Sequence, residues 1–131
     1  MDYIYLFDSI KRRPGTYLAG QTYAEAAAFV MGCEVGNNNT LLCGFREWLV
    51  VRLNGFDGAP WSALVLRAAF PGEAVTATDI LTSKEKNKQA VDTLFELLLD
   101  FFRERGANSE GLPKIYRRYL ELSKPRSQAR P

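Results

Sequence analysis

The sequence predicts an all-α fold: a single compact domain of five or six helices in antiparallel, bundle-like packing. Three observations predict it. Apolar residues recur at steps of three and four along most of the 131 residues. Two Thr-x-x-Glu boxes, Thr22 to Glu25 and Thr82 to Glu85, stand directly before apolar runs, where helices begin. Glycine or Asn-Gly follows where such runs end, and strict apolar–polar alternation is scarce. Connections of a few residues make consecutive helices antiparallel neighbours.

The first segment, YIYLFDSI, sets Ile4, Phe7 and Ile10 three apart with Leu6 beside them. That spacing suits one or two helical turns, and its shortness leaves helix and strand both open. It stops at Arg13-Pro14, because the residue before a proline disfavours helical backbone. After RRPGTYLAG, Thr22 caps a helix whose first turn carries Glu25. Its hydroxyl accepts from the Glu25 amide, and the carboxylate reaches back. AAAFVM carries this helix to Gly32 or Gly36, and GNNNT over residues 36–40 makes a turn. Thr40 then caps LLCGFREWLVVRL, in which Leu42, Phe45, Leu49 and Leu53 share a stripe with Trp48 on its flank. Asn54-Gly55 ends it.

Pro60 opens the next helix at its first position, with Trp61, Leu64, Val65 and Ala68 on one face and Phe70-Pro71-Gly72 closing it. GEAVTATDIL reads as a loop with one helical turn. The Thr82 box then starts a long helix that runs to Arg105 and ends at Gly106. Val91, Leu94, Phe95, Leu98 and Phe102 form its apolar face, while Asp92, Glu96, Asp100 and Arg103 point to water. A last helix from Pro113 to about Ser123 carries Ile115, Tyr116, Tyr119, Leu120 and Leu122. The domain therefore spans residues 1–123, and 124–131 read as a disordered basic tail.

Length and composition bound the function. A chain of 131 residues buries roughly two-thirds of its unfolded surface, so it needs no metal or disulfide staple. No apolar run approaches the ~18 residues of a membrane span. The N-terminal MDYIYLFDSIKRR has its cations after the apolar stretch, the reverse of a secretory signal, and a cytoplasmic location is expected. Cys33 and Cys43 are the only cysteines and there is no histidine, so no zinc site is expected and the thiols read as reduced and buried. Neither metal nor cofactor is called for. The net charge is +2, yet residues 112–131 hold six cations against Glu121 alone.

Candidate chemistry narrows quickly. Without histidine the commonest general base and every Ser–His or Cys–His pair are missing, so an enzyme is not expected. Glu96 and Asp100 belong to a wet helix face, and Ser83 reads as part of a cap. RRPGTYLAG lacks the GxxxxGK[ST] pattern of a phosphate loop. It matches the RPGMYIG segment of gyrase-type ATPases only briefly, and the magnesium-binding helix and later glycine motifs of those enzymes do not follow. IYRRYLELSKPRSQAR interleaves Tyr116 and Tyr119 with Arg117 and Arg118, a pattern that suits nucleic-acid binding. The tyrosines share a face with Ile115 and Leu120, which suits packing instead. For protein binding, Trp48 and Trp61 are either anchors or core. The polar and acidic residues Glu34, Asn37, Asn38, Asn39, Glu47 and Asp57 in and beside the loops GNNNT and NGFDGA are the candidate contacts.

One resemblance goes further. KRRPGTYLAG, then FVMGCEVG, GFREWLVVRL, a lone Trp61 and TLFELLLDFF occur in that order over about residues 8–102. This series resembles small bacterial proteins with the pattern RPGMYLG, GFxxWL, W and a terminal FF helix, themselves similar to immunity proteins of polymorphic or contact-dependent toxin systems. Thr16, Ala19 and Cys33 depart from that pattern. The resemblance implies a cytoplasmic partner of a cognate toxin that occludes it without turnover. It also implies that Pro14 and Gly15 turn a corner, that Tyr17 and Leu18 pack beneath the next helix, and that Thr22, Glu25, Phe45, Trp48 and Trp61 are structural. The rival is a small nucleic-acid-binding regulator using the basic C-terminal helix and tail.

Overall fold

The structure, a computed structural model, describes residues 1–73 and 77–123. These form eight helical segments and no strand. Six are substantial: α1 (Tyr3–Arg12), α3 (Tyr23–Gly36), α4 (Phe45–Leu53), α5 (Trp61–Ala69), α7 (Lys84–Arg105) and α8 (Leu112–Ser123). Two are short, α2 (Pro14–Tyr17) and α6 (Ala77–Thr82). The all-α prediction holds, with the two short segments added; the tail expected over 124–131 lies outside the described residues.

The 22-residue α7 is the hub. Its expected face is buried, and so are Ala90, Leu97, Leu99 and Phe101. A helix apolar over that much of its circumference needs neighbours on more than one side. It packs against α1, α3, α4, α5 and α6, while α4 also packs against α5 and α8. The rings pass contact along the core: Phe7 meets Phe95 and Phe102 at 5.6 and 5.8 Å, and Phe45 meets Phe101 at 5.2 Å and Trp61 at 5.9 Å.

Local chemistry corrects several expected boundaries. Thr40 does not cap a helix; its hydroxyl donates to the Asn37 carbonyl at 2.6 Å. Helical backbone begins only at Phe45, after Gly44 in the left-handed region at φ 91°. The reason is competition: Glu34 takes the Leu42 amide at 2.8 Å, and the Arg105 guanidinium donates to the Leu41 and Cys43 carbonyls at 2.7 and 3.1 Å. Thr82 is likewise no cap. It is the last residue of α6, and Ser83 accepts from the Lys86 amide at 3.1 Å to start α7. Pro60 sits one position outside α5, as its cap residue. Asn54 (φ 55°) and Gly106 (φ 84°) end α4 and α7 as expected.

The thiols are free but not buried as expected: Cys33 is half-buried and Cys43 is exposed, its sulfur 3.4 Å from the Tyr116 hydroxyl. Tyr17 is exposed, so it does not pack beneath α3, whereas its neighbour Leu18 is buried. On α8 only Ile115 is fully in the core. Leu120 and Leu122 are exposed, because the apolar stripe of α8 outruns the body it packs on.

Candidate protein-binding surface

The stretch RRPGTYLAG closes on itself. Pro14 starts α2, where its missing N–H is not needed, and the Leu18 amide returns to the Pro14 carbonyl at 2.8 Å. Thr22 accepts from the Glu25 amide at 3.1 Å as the capping box requires. The Glu25 carboxylate reaches further back than that motif expects: it accepts from the Gly20 amide at 2.8 Å and the Gln21 amide at 3.0 Å, with Gln21 left-handed at φ 51°. Consecutive amides in such a turn form an anion-binding concavity. Here the protein fills it with its own carboxylate, and a phosphate would have to displace Glu25. Glu25→Ala should therefore destabilise the fold by about 1–2 kcal/mol, the cost of losing a charged cap, in urea unfolding. A cost below about 0.3 kcal/mol would mean the carboxylate is dispensable.

Beside this corner lies a groove of about 760 Å³ between Pro14, Gly20–Thr22 and the first turns of α7. Its buried polar residue, Asn87, is fully engaged. Asn87 accepts from the Tyr23 amide at 2.9 Å and donates to the Ile80 and Ser83 carbonyls. The charges on its walls balance, Lys84 and Lys88 against Glu85 and Asp92, with Lys88 and Asp92 paired at 2.9 Å.

The predicted contact residues divide into two groups. Glu34 and Asn37 work internally: Glu34 holds the Leu42 amide, while the Asn37 side-chain amide donates to the Tyr3 hydroxyl and the Cys33 carbonyl. Asn38 and Asn39 are exposed at φ 56° and 61°, conformations asparagine tolerates, so they make the turn and also face solvent. The second group lies where the loop between α4 and α5 meets α8. Arg46 pairs with Asp57 at 2.6 Å and with Glu47 at 3.6 Å, and its Nε donates to the Ala59 carbonyl at 3.0 Å. The Tyr119 hydroxyl donates to both Asp57 oxygens at 3.0 and 3.1 Å. The Arg46 and Tyr119 hydrogen bonds hold the Asp57 carboxyl below its ordinary range.

Both tryptophans pack as core. The Trp48 indole N–H donates to Glu104 at 2.6 Å, Arg118 donates to the other Glu104 oxygen at 3.1 Å, and the Arg52 guanidinium lies 4.9 Å over the Trp48 ring. These groups edge a cavity of about 170 Å³ with Val51 and Ile115. Trp61 is half-buried against Phe45. The hydrogen bond with Cys43, aided by partial burial, pushes the Tyr116 hydroxyl up to about 12. α8 is thus fastened by the buried Ile115, by Leu112 and Tyr119 packed on the core, and by three polar links from Tyr116, Arg118 and Tyr119.

Sequence reasoning missed Phe56. It is half-exposed at a positive φ of 64°, with the Arg67 guanidinium 4.9 Å over its ring. The signal was an aromatic residue set inside the turn sequence NGFDG, where a bulky side chain is out of place. Arg46 and Glu104 were missed for a different reason: their partners lie 11 and 56 residues away, beyond any local pattern.

Among the described residues no group of three or more Cys, Asp or Glu side chains is placed to hold a metal ion, and no helix is long and apolar enough to cross a membrane. No family model, curated protein or solved structure matches the chain.

Proposed function

We propose that the chain is a non-catalytic, cytoplasmic immunity protein that binds a cognate bacterial toxin domain and blocks it by stoichiometric occlusion. The observation that carries this reading is where the polar chemistry goes. Glu25 fills the one amide concavity of the corner, Asp57 is clamped by Arg46 and Tyr119, and Glu104 by Trp48 and Arg118. Large apolar side chains stand exposed as well, among them Met31, Val35, Phe56, Leu120 and Leu122. Exposed aromatic and apolar side chains are surface that a protein partner would bury, and the ordered motif series of the sequence supplies the kind of partner. The basic C-terminal helix favours nucleic acid less, because Arg118 and the Tyr119 hydroxyl are spent on Glu104 and Asp57.

Co-expression with the product of the neighbouring gene tests the proposal in a growth assay, in which that product alone should arrest growth. Rescue of growth, with a stable complex on gel filtration, is the expected result. Absence of rescue and of complex would overturn it, and salt-dependent retention of DNA or RNA lost in an Arg117→Ala, Arg118→Ala double variant would favour the nucleic-acid reading.

A further inference from the structure

We infer that Phe56, with Arg67 stacked on its ring, is the anchor that docks the partner, and that the partner offers an apolar pocket rimmed by carboxylate. The inference rests on the protein-binding function proposed above and names its surface.

Phe56 is costly where it stands. Half of its surface meets water, so little of its burial stabilises the fold. Its φ of 64° places a bulky side chain in the left-handed region, where glycine or asparagine is at home. Such a conformation persists only where surrounding structure over-determines it, and such outliers gather at ligand-contacting sites. The surroundings here do so. The Gly55 amide is held by the Val50 carbonyl and the Ala59 amide by the Phe56 carbonyl, both at 3.2 Å. Arg46 clamps Ala59 and Asp57, and Tyr119 ties Asp57 to α8. The result is an aromatic knob on a stiffened loop, which loses little conformational freedom on binding.

Charge selects the partner. Asp57, the acid nearest the knob in sequence, is paired with Arg46, which it shares with Glu47. Arg67 is exposed and forms no ion pair among the described residues, and its guanidinium is held over the ring. The knob therefore carries an oriented cation with no ion-pair partner among the described residues, which a carboxylate at the pocket rim would meet in bidentate fashion. One such cation on an apolar knob is a poor match to a phosphate backbone, which rewards several cations.

The probe is the toxin domain of the neighbouring gene in an inactivated form, titrated calorimetrically against the full chain. Phe56→Asn should weaken binding at least about thirty-fold, as loss of an aromatic hot spot does. Because asparagine accepts the left-handed backbone, the same variant should melt no lower than the wild type. Arg67→Glu should weaken binding at least about ten-fold, with a smaller loss at high salt. Wild-type binding with both variants within about three-fold would overturn the anchor and leave the function standing. No wild-type binding would overturn both. A Tm lowered by more than about 5 °C in Phe56→Asn would make the ring a structural element and overturn the anchor without any partner. A wild-type dimer that dissociates in Phe56→Asn, or a gel shift lost in it, would put a second copy or a nucleic acid on the knob, and either would overturn the assignment.

Discussion

Phe101→Ala is expected to remove about 3–5 kcal/mol of stability, the cost of emptying a fully packed aromatic site. Phe101 is wholly buried on α7, where it touches Phe45 at 5.2 Å, Phe102 at 5.6 Å and Trp48 at 5.9 Å. It therefore joins α4 to α7. The Arg105 guanidinium lies 4.7 Å over the same ring while it holds the Leu41 and Cys43 carbonyls. Removing the ring opens a cavity and also loosens the arginine that organises the turn before α4. Arg105 is partly buried, which lowers its pKa, and its Nε has no hydrogen-bond partner among the described residues, so its placement rests on the two carbonyls and on the stacked ring. Because a domain holds only about 5–15 kcal/mol in total, this one change removes a large share of the chain's stability. Urea unfolding checks it: the midpoint should fall with the slope unchanged, and a cost under about 1 kcal/mol would mean the site repacks freely.

Gly111→Ala should be the most damaging small change. An added Cβ would run into the Glu104 carbonyl oxygen and stand 3.1 Å from that of Arg105, both backbone atoms that cannot swing aside. The Gly111 amide already donates to the Arg105 carbonyl at 2.8 Å, so the chain must lie this close to turn from α7 into α8. Overpacking against backbone costs about 1–3 kcal/mol, and here it acts at the turn that sets the approach of α8. α8 should lift away, breaking the Cys43–Tyr116, Glu104–Arg118 and Asp57–Tyr119 links together. Hydrogen exchange should accelerate at residues 112–120 while α1 and α3 keep their protection. Gly32→Ala is the control. Its Cβ would meet nothing within 4 Å inside α3, so that variant should gain up to about 1 kcal/mol. Normal protection of α8 in Gly111→Ala would contradict the account of how this helix is held.

The helices were legible in the sequence because their causes are local. Thr22 caps α3 through the Glu25 amide three residues on, and the Phe95–Leu98–Phe102 spacing alone places the inner face of α7. What failed had distant causes. Thr40 looks like a cap until Arg105 and Glu34 claim the backbone that a helix from Leu41 would need. Thr82, with Glu85 three residues on, fits the box pattern, and Ser83, with Lys86 there, does not; Ser83 caps all the same, with Asn87 taking the Ile80 and Ser83 carbonyls. Tyr17 and Leu18 are equally apolar candidates in sequence, and only the packed turn decides that Leu18 goes in.

The candidate surface was legible in the same uneven way. Loop composition pointed to NGFDGA and correctly placed Asp57 at the surface. It could not show that Arg46 and Tyr119 hold that aspartate, because neither is near it in sequence. An acidic contact was therefore the natural expectation, whereas the geometry leaves an apolar ring and a cation facing outward. A residue's chemistry is local, but whether it is already spent depends on the fold.

The most direct test is a titration of toxin activity against the purified chain at a fixed toxin concentration well above the dissociation constant. Stoichiometric occlusion predicts a straight-line loss of activity that ends at a fixed molar equivalence and does not deepen with time. Complete protection by a small fraction of an equivalent, growing as the mixture stands, would mean that the chain turns something over and would contradict the account.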